Sequence, residues 1–158
     1  MQDNDLLSSD FNMYNAHTML LHPQLKQDCY IVGKFPLCYL LLHKDANYPW
    51  FILVPDREDV TEIYQLPQDD QQQLMTESCE LSVTLSRKFK ADKLNVAAIG
   101  NIVPQLHIHH IVRYRRDVAW PSPIWGKHPP TNYTADNLKK RLQIIESSNM
   151  VNFDCYRP

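Results

Sequence analysis

The chain has 158 residues, 44% of them apolar and 22% charged, with a net charge of −2. These values predict one globular domain with its own core, and they exclude a global basic field of the kind that attracts nucleic acid. No apolar run approaches the ~20 residues that cross a bilayer. We therefore expect neither a nucleic-acid partner nor a membrane span.

Cysteine usage indicates the compartment. The cysteines show no Cys-X-X-Cys spacing, and the N-terminus lacks a cationic segment followed by an apolar one. Scattered thiols without a secretion signal are typical of a reducing environment. The sequence thus predicts a cytoplasmic protein whose free thiols fill the core: Cys29, Cys38, Cys79 and Cys155.

The first 27 residues are predicted to form an N-terminal arm. Residues 11–26 favour a short helix or an irregular segment that ends at His22-Pro23, because a residue before proline avoids the α region. Short apolar runs joined by tight turns then predict three antiparallel strands. These strands cover residues 29–34, 37–43 and 50–55.

The hydrophobic period changes after residue 66, where small and apolar side chains recur at helical spacing. The later part of the chain is predicted to form a long helix over 67–90, strands over 93–101 and 105–114, an ordered loop over 117–133, and a helix over 134–147 capped by Thr134 or Asn132. The predicted fold is α+β: an antiparallel sheet of about five strands with one long helix packed on it, plus a C-terminal helix. Residues 28–117 would form the core, and 118–158 would pack on the same domain.

The segment 105–116 carries the strongest functional signal. It reads Gln-Leu-His-Ile-His-His-Ile-Val-Arg-Tyr-Arg-Arg, and strand alternation places Gln105, His107 and His109 on one face, with His110 on the other. Three interpretations compete: solvated histidines on an edge strand, a metal site, or phosphate chemistry in which one imidazole attacks phosphorus. No third metal ligand lies nearby in sequence, but spacing alone does not decide between metal and phosphate.

Residues 99–113 resemble the active-site strand of the histidine-triad (HIT) family. They read Ile-Gly-Asn-Ile-Val-Pro-Gln-Leu-His-Ile-His-His-Ile-Val-Arg, where the family has approximately Ala-Gly-Gln-Ser-Val-Pro-His-X-His-X-His-X-X-Pro-Arg. The resemblance extends over about residues 28–117 and includes the apolar strand that ends at Pro55. The positions identical to the pattern are Gly100, Val103, Pro104, His107, His109 and Arg113.

Several positions depart from the family pattern. Gln105 stands at the first triad His, Asn101 at the Gln after the glycine, and Ile102 at the Ser. Trp50 stands at a His that often precedes the Phe-Ile-Leu-Val-Pro strand. An amide can orient a neighbour by hydrogen bonding, but it neither takes nor gives a proton near neutral pH. The chain therefore resembles a HIT variant whose first triad His is Gln.

The resemblance implies a nucleotide hydrolase or transferase that acts at an α-phosphate, with no cofactor and no metal. Its substrate would be a nucleoside phosphoramidate or a dinucleoside polyphosphate. His107 would form a nucleotidyl-histidine intermediate, His109 would contact the phosphate, and Gln105 would help to hold the site. The resemblance also implies a purine nucleotide as ligand and a homodimer. The alternative is a nucleotide-binding module with little or no turnover.

Further nucleotide or phosphate contacts are expected from residues around the motif. Asp45, together with Asn47, falls near the place where the family holds the ribose. Asn95 lies in the strand before the motif, and Asn101 lies within the motif.

Two more segments offer a functional and a structural interpretation each. Arg113, Arg115 and Arg116 form a basic patch that either steers phosphate or is a solvated strand end. Trp120 opens the segment Trp-Pro-Ser-Pro-Ile-Trp-Gly, which either packs against the core or a partner subunit, or serves as a lid or nucleobase platform.

Overall fold

A computed structural model describes residues 21–156 of the protein, and the predictions for residues 1–20 lie outside this range. The helices are α1 (Pro23–Asp28), α2 (Gln68–Phe89) and α3 (Ala135–Glu146), and a 3₁₀ turn covers Ile63–Gln65. The strands are β1 (Cys29–Lys34), β2 (Cys38–His43), β3 (Trp50–Pro55), β4 (Lys93–Ala98), β5 (Ile108–Arg113) and β6 (Asp154–Cys155).

Within the described residues, six strands form one antiparallel sheet in the order β4-β5-β3-β2-β1-β6. The predicted α+β fold is confirmed, with one strand more than the five expected. β6 is two residues long, which is too short to give a periodicity signal. It pairs with β1 at Gly33, where any Cβ would collide with the Asp154 carbonyl oxygen and the Phe153 ring. Glycine therefore permits this close approach.

The two faces of the sheet carry separate apolar clusters. On one face, Leu81 and Leu85 of α2 belong to the same buried cluster as Ile108 of β5. On the other face, the cluster includes Leu25 of α1 and Ile124 from the loop that follows β5. The long helix thus covers one side of the sheet, as predicted, and leaves the opposite side of β5 to the loop and α1.

His110 lies on the α2 face of the sheet, as alternation along β5 predicts. Its Nδ1 lies 3.1 Å from the Ile108 carbonyl oxygen, which can only accept, so Nδ1 carries the proton. Nε2 therefore accepts the hydroxyl proton of Ser78 on α2 at 2.7 Å. Burial lowers the pKa of His110 to about 4, so a neutral ring joins helix and sheet.

The predicted strand over 105–114 begins later than expected, at Ile108. Pro104 has no N–H to give to a strand ladder. Leu106 donates its N–H to the Val60 carbonyl at 2.9 Å instead of to a neighbouring strand. The preceding strand likewise stops at residue 98 rather than 101. Residues 99–107 therefore form a loop that leads into β5.

The N-terminal boundary is also corrected. The arm was expected to end at His22-Pro23, whereas α1 begins there. Proline is well suited to the first helical position, where its missing N–H has no partner to lose. His22 is the N-cap residue, and its Nδ1 accepts the N–H of Gln24 at 3.2 Å.

The C-terminal predictions hold more closely. The loop over 117–133 has no regular strand or long helix, and α3 follows it. Thr134 caps α3, since its hydroxyl accepts the N–H of Asn137 at 3.3 Å. No helix between residues 21 and 156 is long and apolar enough to cross a membrane.

A buried carboxylate fastens α2 to the start of β2. Glu77 is 2% exposed and accepts the backbone N–H groups of Leu37 at 2.7 Å and Cys38 at 2.9 Å. The side-chain amide of Gln73 donates a third hydrogen bond at 2.9 Å. Three donors offset the cost of burying the charge, because hydrogen bonds to an ionised group are stronger than neutral ones.

The variant Glu77→Gln is expected to lower the free energy of unfolding by about 3 kcal/mol, because its amide NH₂ would face a backbone N–H donor. Urea unfolding measures the change. Glu80→Gln is the matched control, since Glu80 lies on the same helix, is only half-buried and accepts the N–H of Val151. Its loss should stay below about 1 kcal/mol. Equal losses in the two variants would contradict the role given to Glu77.

Candidate active site

His107 and His109 lie together where the 99–107 loop enters β5. Their ring centroids are 4.8 Å apart with an interplanar angle of 76°. Both side chains are buried, and His109 pairs with Ile52 in the centre of the sheet. The two histidines predicted to share one face therefore lie together, although His107 occupies the loop and only His109 belongs to the strand.

The orientation of His107 is set by its own backbone. Nδ1 lies 2.7 Å from the carbonyl oxygen of Gln105, and because a carbonyl only accepts, Nδ1 carries the proton. The lone pair of the neutral ring is therefore on Nε2. Burial is the main cause that lowers the pKa of His107, the Gln105 carbonyl opposes it, and the nearby His22 lowers it further. The result is a neutral imidazole with a nucleophilic Nε2.

His109 has the opposite tautomer, and Trp50 determines it. The indole Nε1–H of Trp50 donates to Nδ1 of His109 at 2.9 Å, so the proton of the neutral ring is on Nε2. Burial, followed by the neighbouring imidazoles of His107 and His43, lowers the pKa of His109 to about 3. His109 is therefore a neutral hydrogen-bond donor through Nε2.

An aromatic enclosure surrounds His109. The ring of His43 stacks on Trp50 with centroids 3.8 Å apart. Trp125 meets His109 edge-on at 5.2 Å and Trp50 at 5.9 Å. Burial lowers the pKa of His43, so this ring also stays neutral. Edge-to-face and stacked contacts of this kind hold the rings in fixed positions around the histidine.

Gln105 lies beside His107 but is bonded to the N-terminal segment. Its Oε1 accepts the backbone N–H of His22 at 2.8 Å. The resemblance implies that Gln105 donates from its amide to help hold the site, whereas the bond seen here is accepted by its carboxamide oxygen from the residue that caps α1. The first triad position thus connects two segments that are 83 residues apart.

A cleft runs past these residues. One cavity of about 340 Å³ is lined by His107, Gln105, Pro104, Asn101 and Thr61, among others. A second cavity of about 350 Å³ shares Thr61, Pro104 and Gln105 with the first and reaches His22. Asn101, predicted to contact a nucleotide or its phosphate, is therefore brought together with His107. Of the two histidines, His107 lines this cleft.

Arg113 is not part of a surface patch. It is 1% exposed and forms a bidentate ion pair with Asp117, with Nε to Oδ2 at 2.7 Å and Nη2 to Oδ1 at 3.1 Å. Its remaining donors bond to Asn95 Oδ1 at 2.7 Å and to the Ser122 carbonyl at 2.9 Å. The predicted patch is therefore limited to Arg115 and Arg116. Arg113 and Asn95 bind each other in this structure, and the guanidinium organises the loop that follows.

Asp45 also serves the fold. Its buried Oδ1 accepts the N–H groups of Asn47 at 3.0 Å and Thr131 at 3.1 Å. The side chain of Asn47 donates to the Pro129 carbonyl at 2.9 Å. The β2–β3 turn and the loop before α3 are joined by these bonds, so the carboxylate expected near a ribose already has two donors.

The two tryptophans of the 120–126 segment have different surroundings. Trp120 lies over the guanidinium of Arg113 at 5.6 Å and is 37% exposed. Trp125, and not the predicted Trp120, reaches the histidines. The segment supplies an aromatic side chain to the site, but from its second tryptophan.

Sequence reasoning missed four residues of this site: His22, His43, Trp50 as a donor, and Trp125. The sequence did carry a signal for Trp50, which occupies a position where the family has His. Trp50 lies on β3 opposite Ile111 of β5, two residues along that strand from His109. Trp125 lies in the aromatic segment that the sequence singles out, although Trp120 was the tryptophan chosen there. His22 and His43 come from distant segments and gave no signal. Between residues 21 and 156, no group of three or more His, Cys, Asp or Glu side chains is placed to hold a metal ion.

Comparison with known proteins agrees with this architecture. The HIT domain model matches residues 24–116. A histidine triad protein from Bradyrhizobium japonicum is 45% identical with a TM-score of 0.80, covering 81% of this chain and 96% of that chain. One from Marinobacter aquaeolei is 46% identical with a TM-score of 0.79, covering 82% and 95%. One from Sinorhizobium meliloti is 34% identical with a TM-score of 0.80, covering 83% and 97%.

No curated protein matches the chain. The family match spans more than half of the sequence, and the solved structures align over most of it. The chain therefore belongs to the HIT family.

The variant Trp50→Phe is expected to release the tautomer of His109. It keeps an aromatic ring but removes the N–H that bonds to Nδ1, so the neutral ring would populate both tautomers and its pKa would rise from about 3. Nitrogen NMR of the imidazoles measures both effects. Trp120→Phe is the control, because Trp120 packs on Arg113. An unchanged His109 spectrum in Trp50→Phe would refute the assignment.

Proposed function

We propose that this protein is a nucleotide hydrolase or transferase that acts at an α-phosphate through a nucleotidyl-His107 intermediate. The observation that carries the proposal is the 2.7 Å hydrogen bond from His107 Nδ1 to the Gln105 carbonyl. It leaves Nε2 as the ring atom with a free lone pair, beside a cleft of about 340 Å³. A neutral imidazole with one nitrogen anchored is what nucleophilic catalysis by histidine needs.

The reaction would have two steps. In the first, Nε2 of His107 forms a bond to the α-phosphorus while the bond to the leaving group breaks, and its electron pair goes with the leaving group. In the second, water attacks the phosphorus, the phosphorus–nitrogen bond breaks and the nucleoside monophosphate is released. The substrate class we propose is a purine nucleoside phosphoramidate or a dinucleoside polyphosphate.

His109 would stabilise the charge that develops on the phosphoryl oxygens. Its Nε2–H is the proton-bearing nitrogen because Trp50 occupies Nδ1. A neutral donor held in a buried position costs little reorganisation when the transition state forms. Asn101 lies on the cleft with His107 and is proposed as a second phosphate contact. Trp125 is the aromatic side chain of its segment that reaches these histidines, and we propose it as a wall of the nucleotide site.

One observation favours the alternative function, a nucleotide-binding module. The carboxamide of Gln105 accepts the His22 N–H and cannot transfer a proton. A site without a proton donor for the leaving group would bind nucleotides and turn over slowly. Both functions need the same cleft, so turnover and binding must be measured separately.

The variant His107→Ala is expected to reduce AMP release by more than about a thousandfold. AMP binding should stay within about tenfold of wild type, or about 1.4 kcal/mol. Adenosine 5′-phosphoramidate and a diadenosine polyphosphate are the substrates, and mass spectrometry detects the adenylylated His107 in wild type. The control is His128→Ala, since His128 is exposed and outside the cleft.

Wild-type activity in His107→Ala would overturn the nucleophile assignment. Saturable AMP binding without AMP release by the wild type would instead select the binding module. The assay is run with and without chelator, so that a dependence of either result on a metal would be detected.

We also propose that the protein is a homodimer that pairs through β4. This strand lies at one end of the sheet, and within residues 21–156 it pairs with β5 alone. Exposed Ile63, Met75 and Val96 surround a small cavity beside it. An uncovered strand edge next to apolar side chains favours a symmetric contact between copies.

Light scattering at micromolar concentration should give twice the chain mass of 18.6 kDa for wild type. Val96→Lys should shift the mass toward one chain, because it places a charge in the proposed contact. Val151→Lys is the control, since Val151 is exposed in the turn after α3. A wild-type mass of one chain would refute the dimer.

A further inference from the structure

His22 lies outside the HIT motif but is hydrogen-bonded directly to Gln105, the residue at the first triad position. Its backbone N–H donates to Gln105 Oε1 at 2.8 Å, which fixes it beside the first triad position. Its ring caps α1, because Nδ1 accepts the N–H of Gln24 at 3.2 Å. The capping bond requires a lone pair on Nδ1, so the proton of the neutral ring is on Nε2. The capping bond therefore leaves Nε2–H as the donor of the His22 ring.

The cleft connects His22 to the nucleophile. The cavity that His22 lines and the cavity that His107 lines share Thr61, Pro104 and Gln105. A ligand that extends from His107 past these shared residues would enter the cavity that His22 lines.

Two other donors beside this cleft, those of Arg57 and Thr61, are already engaged. The guanidinium of Arg57 donates from Nε and Nη2 to Asp70 and from Nη1 to the Asp56 carbonyl. The N–H and hydroxyl groups of Thr61 both bond to the side-chain oxygen of Gln65. His22 Nε2–H is the donor among these whose position and tautomer suit a ligand.

We propose that His22 donates a hydrogen bond from Nε2–H to the leaving group, beside Gln105, whose carboxamide cannot transfer a proton to that group. The proposal rests on the proposed function and adds a catalytic residue to it. While the bond from phosphorus to the leaving oxygen breaks, its electron pair stays on that oxygen, and the His22 hydrogen bond stabilises the developing charge. The imidazole keeps its proton, and solvent protonates the leaving group afterwards.

This role selects a substrate class. A leaving oxygen of low basicity, as in a phosphoanhydride or an aryl ester, departs as an anion and needs only a hydrogen bond. An alkylamine must receive a full proton before it leaves, and neither Gln105 nor a capping His22 delivers one. Oxygen-linked nucleotide conjugates, such as dinucleoside polyphosphates, are therefore favoured over phosphoramidates of alkylamines.

Two substitutions separate the ring's two roles. His22→Asn keeps an acceptor for the Gln24 N–H, since Asn is a good N-cap, but its shorter side chain does not reach the position of Nε2. His22→Gln places an amide donor near the position of Nε2 and weakens the cap. Both variants keep the backbone N–H that bonds to Gln105. His128→Asn is the matched control at an exposed histidine.

The first measurement is kcat/KM on aryl esters of AMP whose phenols span a range of acidity. For His22→Asn we expect a loss that grows with phenol pKa, reaching about tenfold to a hundredfold for unsubstituted phenol. His22→Gln should recover most of this loss, and His128→Asn should match wild type. A His22→Asn loss that is uniform across the series, or absent, would overturn the proposal, because a structural role has no leaving-group dependence.

The second measurement is binding, which does not require turnover. A diadenosine polyphosphate with a methylene bridge after the α-phosphorus should bind His22→Asn about tenfold more weakly than wild type, with AMP affinity changed by much less. Equal weakening for the two ligands, or none, would overturn the proposal. Absence of turnover by the wild type would refute the proposed function instead, so the two failures are distinguishable.

Discussion

The buried ion pair between Arg113 and Asp117 is the interaction on which the site depends. Arg113 ends β5, and the carboxylate of Asp117 accepts from Arg113 and from the N–H groups of Tyr114 and Ala119. Burial opposes ionisation, but these donors hold the pKa of Asp117 below its usual value. A buried pair is stable only when such additional hydrogen bonds satisfy it. The turn after β5 is fixed in this way, and the same loop then carries Trp125 back to the histidines.

The chemistry of the site follows from acceptors and donors rather than from charges. A carbonyl assigns the proton of His107 to Nδ1, an indole assigns that of His109 to Nε2, and a backbone amide assigns that of His22 to Nε2. Burial lowers the pKa of His107 and of His109, so these two rings lie side by side without repelling each other as cations. Under the proposed function, an anionic phosphate would be bound by the N–H groups of neutral rings, since the guanidinium of Arg113 is hydrogen-bonded to the loop that follows β5.

The sequence predicts the fold and the centre of the site because both are encoded locally. Strand alternation separates His109 from His110, and helical spacing identifies α2. What it does not predict depends on pairs that are distant in the chain. Gln105 and His22 are 83 residues apart, and no local pattern relates them. Arg113 was expected in a basic patch because a strand-end arginine is usually exposed, and only the buried Asp117 reverses that. β6 forms only because residues 153–154 approach the backbone of Gly33 closely, and this contact is visible only in the tertiary structure.

The aromatic enclosure has an optical consequence. The chain has three tryptophans, two of which contact His109 while the third lies over Arg113. Indole emission responds to nearby charge and to polar contacts of the ring N–H, and Trp50 gives its N–H directly to the imidazole. Every fluorophore of the indole type in this protein therefore senses either the histidines or the loop that positions them. Under the proposed function, a phosphate bound beside His109 is expected to change the emission spectrum of the unlabelled protein.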